Sequence, residues 1–253
     1  MTSRKDIDGD PLWRVFHHSS SNTLTELLDG SGDPPQPGIA YAHTPGAETV
    51  DIASDRDDSE LTEAIRERRS PTGFRDRPIT HDEVAAVVDG AAGITFEGRT
   101  DEFHRRAYPS GGALYPLELY AVVLAGADID PGLYHYNVRD RTLERLVSGR
   151  LRDELGFVPT ELIDTAPLCL FLTARMERTT QKYGDRGYRY ALMEAGHVMQ
   201  NVCLIAEREG LGCRPIAGFA EAAADEFLQR GDAETSLYAG VVGTPRSDGE
   251  PVV

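Results

Sequence analysis

Three short stretches of this chain hold residues whose types and spacing could do chemistry. The first is Tyr108-Pro109-Ser110-Gly111-Gly112-Ala113-Leu114-Tyr115-Pro116, a hydroxyl and two adjacent glycines set between prolines. Paired glycines let a backbone come close to a flat ligand because no Cβ stands in the way. The prolines stiffen the loop and lower the cost of ordering it. The second is Arg68-Arg69-Ser70, two guanidiniums and a hydroxyl in three residues. Such a set suits a phosphate, whose oxygens match the planar fork of an arginine. The third runs from Lys182-Tyr183 through Gly184-Asp185-Arg186-Gly187-Tyr188-Arg189-Tyr190 into a long apolar-periodic segment, and then to Pro215-Ile216-Ala217-Gly218. Of 26 basic residues only Lys5 and Lys182 are lysine. A lysine can give up its proton when desolvated and an arginine cannot, so a lysine retained beside a tyrosine suits proton transfer.

These residues need elements to hold them. A helical pattern runs from Ser59 to Arg68 and ends on the arginine pair. Thr80 with Glu83 three residues on reads as a capping box for a second helix, with Val84, Val87, Val88 and Ala91 as its apolar stripe. Strands are expected at 117–124, 133–137, 142–147, 168–173 and 237–242, the second and third forming a hairpin through Val138-Arg139-Asp140-Arg141. The longest element is a helix from Gly187 to Gly210. It carries one apolar stripe at Tyr188, Leu192, Ala195, Met199, Val202 and Ala206 and a second at Ala191, Val198 and Ile205. Apolar over that much of its circumference, it should be buried in a core or a subunit interface. Glu194, His197 and Asn201 share a face of it, and polar groups in that setting need partners. Pro215 to Gly218 reads as a rigid turn after the helix. Strands and helices mix without regular βαβ alternation, so the class is α+β. Residues 1–57 are polar and rich in Gly, Pro, Ser and Asp; they read as an arm that packs locally and is loose between Asp29 and Asp58.

Composition narrows the function. A net charge of −16 is the wrong sign for a bulk nucleic-acid binder. Acidic clusters such as 51–60 and the near-absence of lysine suit a high-salt cytoplasm, and a halophilic source is expected. Three cysteines without a Cys-x-x-Cys spacing argue for a reducing compartment and against a zinc site. The first residues lack an apolar signal core and no 18-residue apolar run occurs, so a cytoplasmic protein off the membrane is expected. Gly210-Leu211-Gly212 follows a helix and has no third glycine, so it is no dinucleotide fingerprint. Glu194-Ala195-Gly196-His197 is half of a di-iron motif without a second half, and no metal is expected. Ser110 lacks the Gly-x-Ser-x-Gly surroundings of a hydrolase nucleophile.

Taken together, Arg68-Arg69-Ser70, Pro109-Ser110-Gly111-Gly112-x-x-Tyr115-Pro116 and Arg186-Gly187-Tyr188-Arg189-Tyr190, followed by Glu194-Ala195-Gly196-His197 and Gln200-Asn201, resemble the FMN-dependent nitroreductase superfamily in its azoline-dehydrogenase branch. The resemblance covers roughly residues 58–246. It implies a largely antiparallel sheet surrounded by helices, with the long helix at a homodimer interface, and an FMN-binding domain over residues 58–253. It implies FMN held by Arg68, Arg69 and Ser70, by Pro109 to Gly112, by the backbone of Pro215, Ile216, Ala217 and Gly218 near the reactive flavin nitrogen, and by Arg246 as a late basic ligand of the phosphate; Arg246 reads equally well as an exposed tail residue. It assigns proton handling to Lys182 and Tyr183. The activity implied is oxidation of thiazolines or oxazolines in a peptide, with a cyclodehydratase as a partner. The alternatives are an NAD(P)H-dependent nitroreductase or quinone reductase, and a flavin-binding subunit of a peptide-maturation complex. Two positions depart from the pattern. Ala217 stands where many relatives carry Glu, and Thr72 stands where many carry a second basic residue past the serine, with Arg75 further on.

Overall fold

A computed structural model describes residues 10–25, 44–52, 59–100, 104–231 and 233–246. The stretches 29–43 and 53–58, where a loose arm is expected, lie outside the described residues. The centre is a six-stranded sheet of order β5-β4-β3-β6-β8-β7, with every neighbouring pair antiparallel. Its strands are β3 (Leu117–Val123), β4 (Gly132–Asn137), β5 (Thr142–Ser148), β6 (Leu168–Ala174), β7 (Gly212–Ile216) and β8 (Thr235–Gly243). A small pair, β1 (Ile94–Phe96) and β2 (Arg105–Arg106), stands apart.

Both faces of the sheet are covered, and the strand sequences show why. Successive side chains of a strand point to opposite faces. On β3, Leu117, Leu119, Ala121 and Val123 join one buried cluster, while Tyr120 and Val122 join another. The first cluster includes the apolar stripes of α3 (His81–Ala92) and the long α6 (Arg186–Arg208). The second includes Phe74, Phe157, Phe171 and Phe219, with Ile163 of α4 (Thr160–Ile163) and Ala224 of α7 (Glu221–Phe227). Each fully buried side chain of this size contributes about 1.5–3 kcal/mol. Gly240 lets α6 approach β8, since a Cβ there would lie 2.9 Å from Met199 Cε.

The expected capping box is present: Thr80 Oγ1 accepts from Glu83 N, and Glu83 accepts from Thr80 N. The helix expected near Ser59 is α2 (Glu60–Glu67), with Ser59 as its cap. The five expected strands and the 138–141 hairpin are all found. Two readings need correction. The segment after α6 is not a turn alone, because Gly212–Ile216 forms an edge strand paired with β8; Pro215 is tolerated there because an edge strand has one unpaired side. On α6, the stripe of Leu192 (39% exposed) and Met193 (53% exposed) is open in the single chain, the face that the expected subunit interface would cover. The arm does not pack only on itself. Its helix α1 (Leu12–Ser20) stacks Trp13 on Tyr188 of α6 and buries His17 between Tyr188 Oη and Thr235 Oγ1. No described helix is long and apolar enough to cross a membrane.

Candidate functional site

The chemistry-bearing residues fall into two groups at opposite ends of the sheet. The first group lies where β7 begins and β8 ends. Arg68 closes α2, and its Nη1 lies 3.4 Å from Ser70 Oγ. Beyond them the chain turns past Pro71 to Phe74, which bridges Pro245. Arg246 Nε donates to the Phe74 carbonyl at 2.8 Å, and Arg214 Nη1 donates to the Pro71 carbonyl at 3.2 Å. Arg68, Ser70, Arg214 and Arg246 thus surround one short segment. Arg68 also faces α6: the Cys203 thiol is pushed down by a hydrogen bond from Cys213 and by the nearby Arg68, against the effect of burial. Among the described residues none of these three arginines forms an ion pair with a carboxylate. In a chain of net charge −16, arginines that hold no close carboxylate are notable donors for an external anion, with Glu207 the acidic group whose charge Arg68 offsets from further off.

Arg69 behaves differently from its neighbour. It is exposed, and its Nη1 donates to the carbonyls of Arg66, Glu67 and Arg68. It caps the carbonyl end of α2, as a basic side chain at a helix C-terminus does. Arg214 is the member that sequence reasoning missed. It stands just before the segment read as a turn, in a strand too short to show a pattern of its own.

Pro215 and Ile216 end β7, and Ala217 and Gly218 follow it, both exposed. A Cβ added at Gly218 would meet nothing within 4 Å. This backbone therefore lies open along the sheet edge, beyond the end of β7 away from Gly212.

The second group lies where β3 and β8 begin and β6 ends. Pro109 leads into a short 3-10 turn over Gly111–Ala113. Its backbone is left-handed at Gly112 (φ 68°), Ala113 (φ 55°) and Tyr115 (φ 45°). Glycine adopts this without cost, but for Ala113 and Tyr115 it costs about 1–3 kcal/mol each. The loop is held against α6 by Glu194. Its Oε1 accepts from Ser110 Oγ at 2.9 Å and from Gly111 N at 3.1 Å, while Ser110 Oγ accepts from Tyr115 N at 2.9 Å. Glu194 is 3% exposed and its Oε2 has no hydrogen-bond partner. Burial pushes its carboxyl up to about 7, opposed by the bonds from Ser110 and Gly111 and by Arg106. Asn201, two turns along the same face, donates to the carbonyls of Ala91 and Ala107. His197 is exposed.

Lys182 and Tyr183 sit above this loop. They end α5 (Glu177–Tyr183), not a loose connection. Arg178 of the same helix ties it down, with Nη1 on the Tyr115 carbonyl at 3.1 Å and Nη2 on Glu118 at 2.6 Å. A Cβ built on Gly112 would lie 2.8 Å from Lys182 Nζ and 2.7 Å from Tyr183 Oη. The glycine thus leaves the space in which both polar tips meet. Tyr190 packs edge-on against Tyr183, with ring centroids 4.9 Å apart.

The two groups lie on opposite sides of α6. Glu194 and Cys203 are nine residues apart, which is about 14 Å along a helix and half a turn around it. β8, which links the two ends, spans nine residues, roughly 26 Å of strand.

Comparison with known proteins bears on this arrangement. Residues 65–244 match the model of the Nitroreductase family. A protein of Methanocaldococcus jannaschii named as a nitroreductase, MJ1384, is 34% identical over 69% of this chain and 87% of its own length. The Microcin B17-processing protein McbC of Escherichia coli is 34% identical over 46% of this chain, and the chain spans about half, 46%, of McbC. A chain in the structure of the E. coli microcin synthetase McbBCD complex with truncated pro-MccB17 has the same fold. It gives a TM-score of 0.75 at 23% identity, over 93% of this chain and 92% of that one.

Proposed function

Since the chain belongs to the nitroreductase family of flavin-dependent oxidoreductases, we propose that it is an FMN-dependent azoline dehydrogenase acting on thiazoline or oxazoline rings of a peptide. The observation that carries this reading is that Lys182 Nζ and Tyr183 Oη both point at the Cβ-free face of Gly112, each within 3 Å of where a Cβ would stand. The sequence kinship with McbC, named as a Microcin B17-processing protein, supports a role in peptide maturation, and with it a cyclodehydratase as partner belongs to the proposal.

The residues present fit an FMN. Its phosphate finds a donor set of Arg68, Ser70, Arg214 and Arg246, with no close carboxylate among the described residues. The backbone at Gly218 is open, since a Cβ there would meet nothing within 4 Å, and so leaves a surface for a ring to lie on, while Tyr190, Lys182 and Tyr183 fill the Cβ positions of Gly111 and Gly112. When bound, FMN supplies the two-electron acceptor that the oxidation requires. The protein's own residues do the rest. Arginines hold the anionic end, the glycine loop admits the flat end, and Lys182 Nζ or Tyr183 Oη takes the proton lost from the azoline ring. General-base help of this kind is worth about 10²–10⁴ in rate.

Both residue groups serve one flavin only if two chains contribute, because α6 separates them within a chain. We therefore include a homodimer in the proposal. α6 presents Leu192, Met193 and Gly196 outward on one stripe, and α2 presents Leu61 (62% exposed) and Ile65 (55% exposed). Apolar side chains at i and i+4 on neighbouring helices make a surface suited to a second copy.

The test is direct. Purified protein should release FMN on denaturation, and a peptide thiazoline or oxazoline should lose two hydrogens with the loaded enzyme. Turnover of a nitroaromatic with NAD(P)H, with no azoline oxidised alone or with a cyclodehydratase, would favour the second reading, which the near full-length match to MJ1384 supports. Release of FAD, or of no flavin, would refute both.

A further inference from the structure

Glu194 stands out among the buried ionisable groups that the proposed reaction does not use. It sits on the apolar side of α6, its Oε1 gathers two donors from one loop, and its Oε2 is buried with no partner. That loop is the one with left-handed backbone at Gly112, Ala113 and Tyr115. Local strain of this kind persists only where surrounding contacts over-determine it. Here the contacts form one relay: Tyr115 N–H to Ser110 Oγ, and Ser110 Oγ–H together with Gly111 N–H to Glu194 Oε1.

We propose that Glu194 is a positioning residue that latches the Ser110–Tyr115 loop in the shape that admits a flavin, and that it does so through Ser110 and Gly111. The relay has a consequence for Ser110. Its proton is committed to Glu194 and one lone pair to Tyr115 N–H, so it can meet a ligand only as an acceptor. Ser110 is thus a pivot of the loop and not a donor to the cofactor. The effect on flavin affinity rests on reading this loop as a wall of the FMN site; the effect on the loop itself does not.

The latch carries a pH signature. The charged or titratable groups facing Glu194 are Arg106 of β2 and Tyr108 of the turn before the loop, and Arg106 Nη1 lies 3.4 Å from Tyr108 Oη. Burial outweighs them and holds the Glu194 carboxyl near 7 with the loop closed. Opening the loop hydrates the carboxyl and returns it towards its ordinary value of 4.5. The closed form therefore binds more protons than the open one between those values. Closure is strongest below that window and weakens as pH rises through it. A glutamine keeps the accepting oxygen without the charge.

Amide hydrogen exchange of residues 107–116 tests this in the flavin-free protein, with flavin titration in parallel. In the wild type, loop protection corrected for intrinsic exchange should fall by one to two orders of magnitude, about 70-fold for these values, from pH 5 to pH 8. Glu194→Gln should remove that slope and keep the loop protected at pH 8. Glu194→Ala should raise loop exchange by about tenfold and leave β3 and β6 unchanged, with FMN affinity weakened in step. Loop exchange untouched by Glu194→Ala, or a wild-type pH slope surviving in Glu194→Gln, would overturn the latch. A wild type that binds no FMN at any pH, with loop exchange still governed by Glu194, would sink the flavin reading and leave the latch standing.

Discussion

Lys182→Ala and Tyr183→Phe are expected to keep the bound flavin and to lose azoline oxidation by about 10²–10⁴ in rate, the usual range for removal of a general base. The division of labour follows from position. Both side chains lie over Gly112 at the far side of α6 from Arg68, Arg214 and Arg246, so neither can contribute to a phosphate clamp in its own chain. Reduction of a test quinone by the pre-reduced enzyme should survive, because its proton can come from water. Tyr183→Phe keeps the ring that packs on Tyr190 and removes only the hydroxyl, so its loss of turnover would report on the proton and not on packing. Parallel loss of quinone and azoline activity would mean that the pair is structural.

Arg68→Ala should weaken FMN binding by about 10–150-fold, since losing a charge-assisted contact costs about 1.5–3 kcal/mol. Arg69→Ala serves as its internal control and should leave affinity within about twofold. The neighbouring arginine already spends its guanidinium on the carbonyls that end α2, so its loss trims a helix cap worth only a few tenths to 1 kcal/mol. Arg214→Ala should fall with Arg68→Ala. Fluorescence titration of the apo-protein distinguishes these cases. Equal weakening by Arg68→Ala and Arg69→Ala would mean that the pair acts through net charge and not through placement.

Local signals in the sequence carried well into the structure. The short apolar runs of β3 and β6, the Thr80–Glu83 capping box and the periodicity of α6 are each short-range, and each is found where it was read. What failed to show is long-range. Strand β7 is five residues long, holds a proline, and is stabilised by pairing on one side with β8, so its pattern is too short to stand out. Arg214 was missed with it. The two arginines of Arg68-Arg69 cannot be told apart by type or spacing, because their fates depend on which way α2 ends. Glu194 was visible as a polar group needing a partner, but which loop it would hold is decided by tertiary packing. The docking of α1 on Tyr188 and Thr235 joins residues more than 150 positions apart and leaves no local trace.

The separation of the two residue groups by α6 has a genetic corollary. In the proposed dimer each centre draws its arginines from one subunit and its Lys182 and Tyr183 from the other. Two defective alleles, one encoding Arg68→Ala and one Lys182→Ala, would then complement. A mixed dimer carries both lesions in one centre and leaves the other centre whole. With random pairing of equal amounts, half the dimers are mixed, so the population recovers about one quarter of wild-type turnover. Were each centre built within a single chain, no combination of these alleles would restore one. Cells carrying both alleles would thus make mature heterocycles where cells carrying either alone would not.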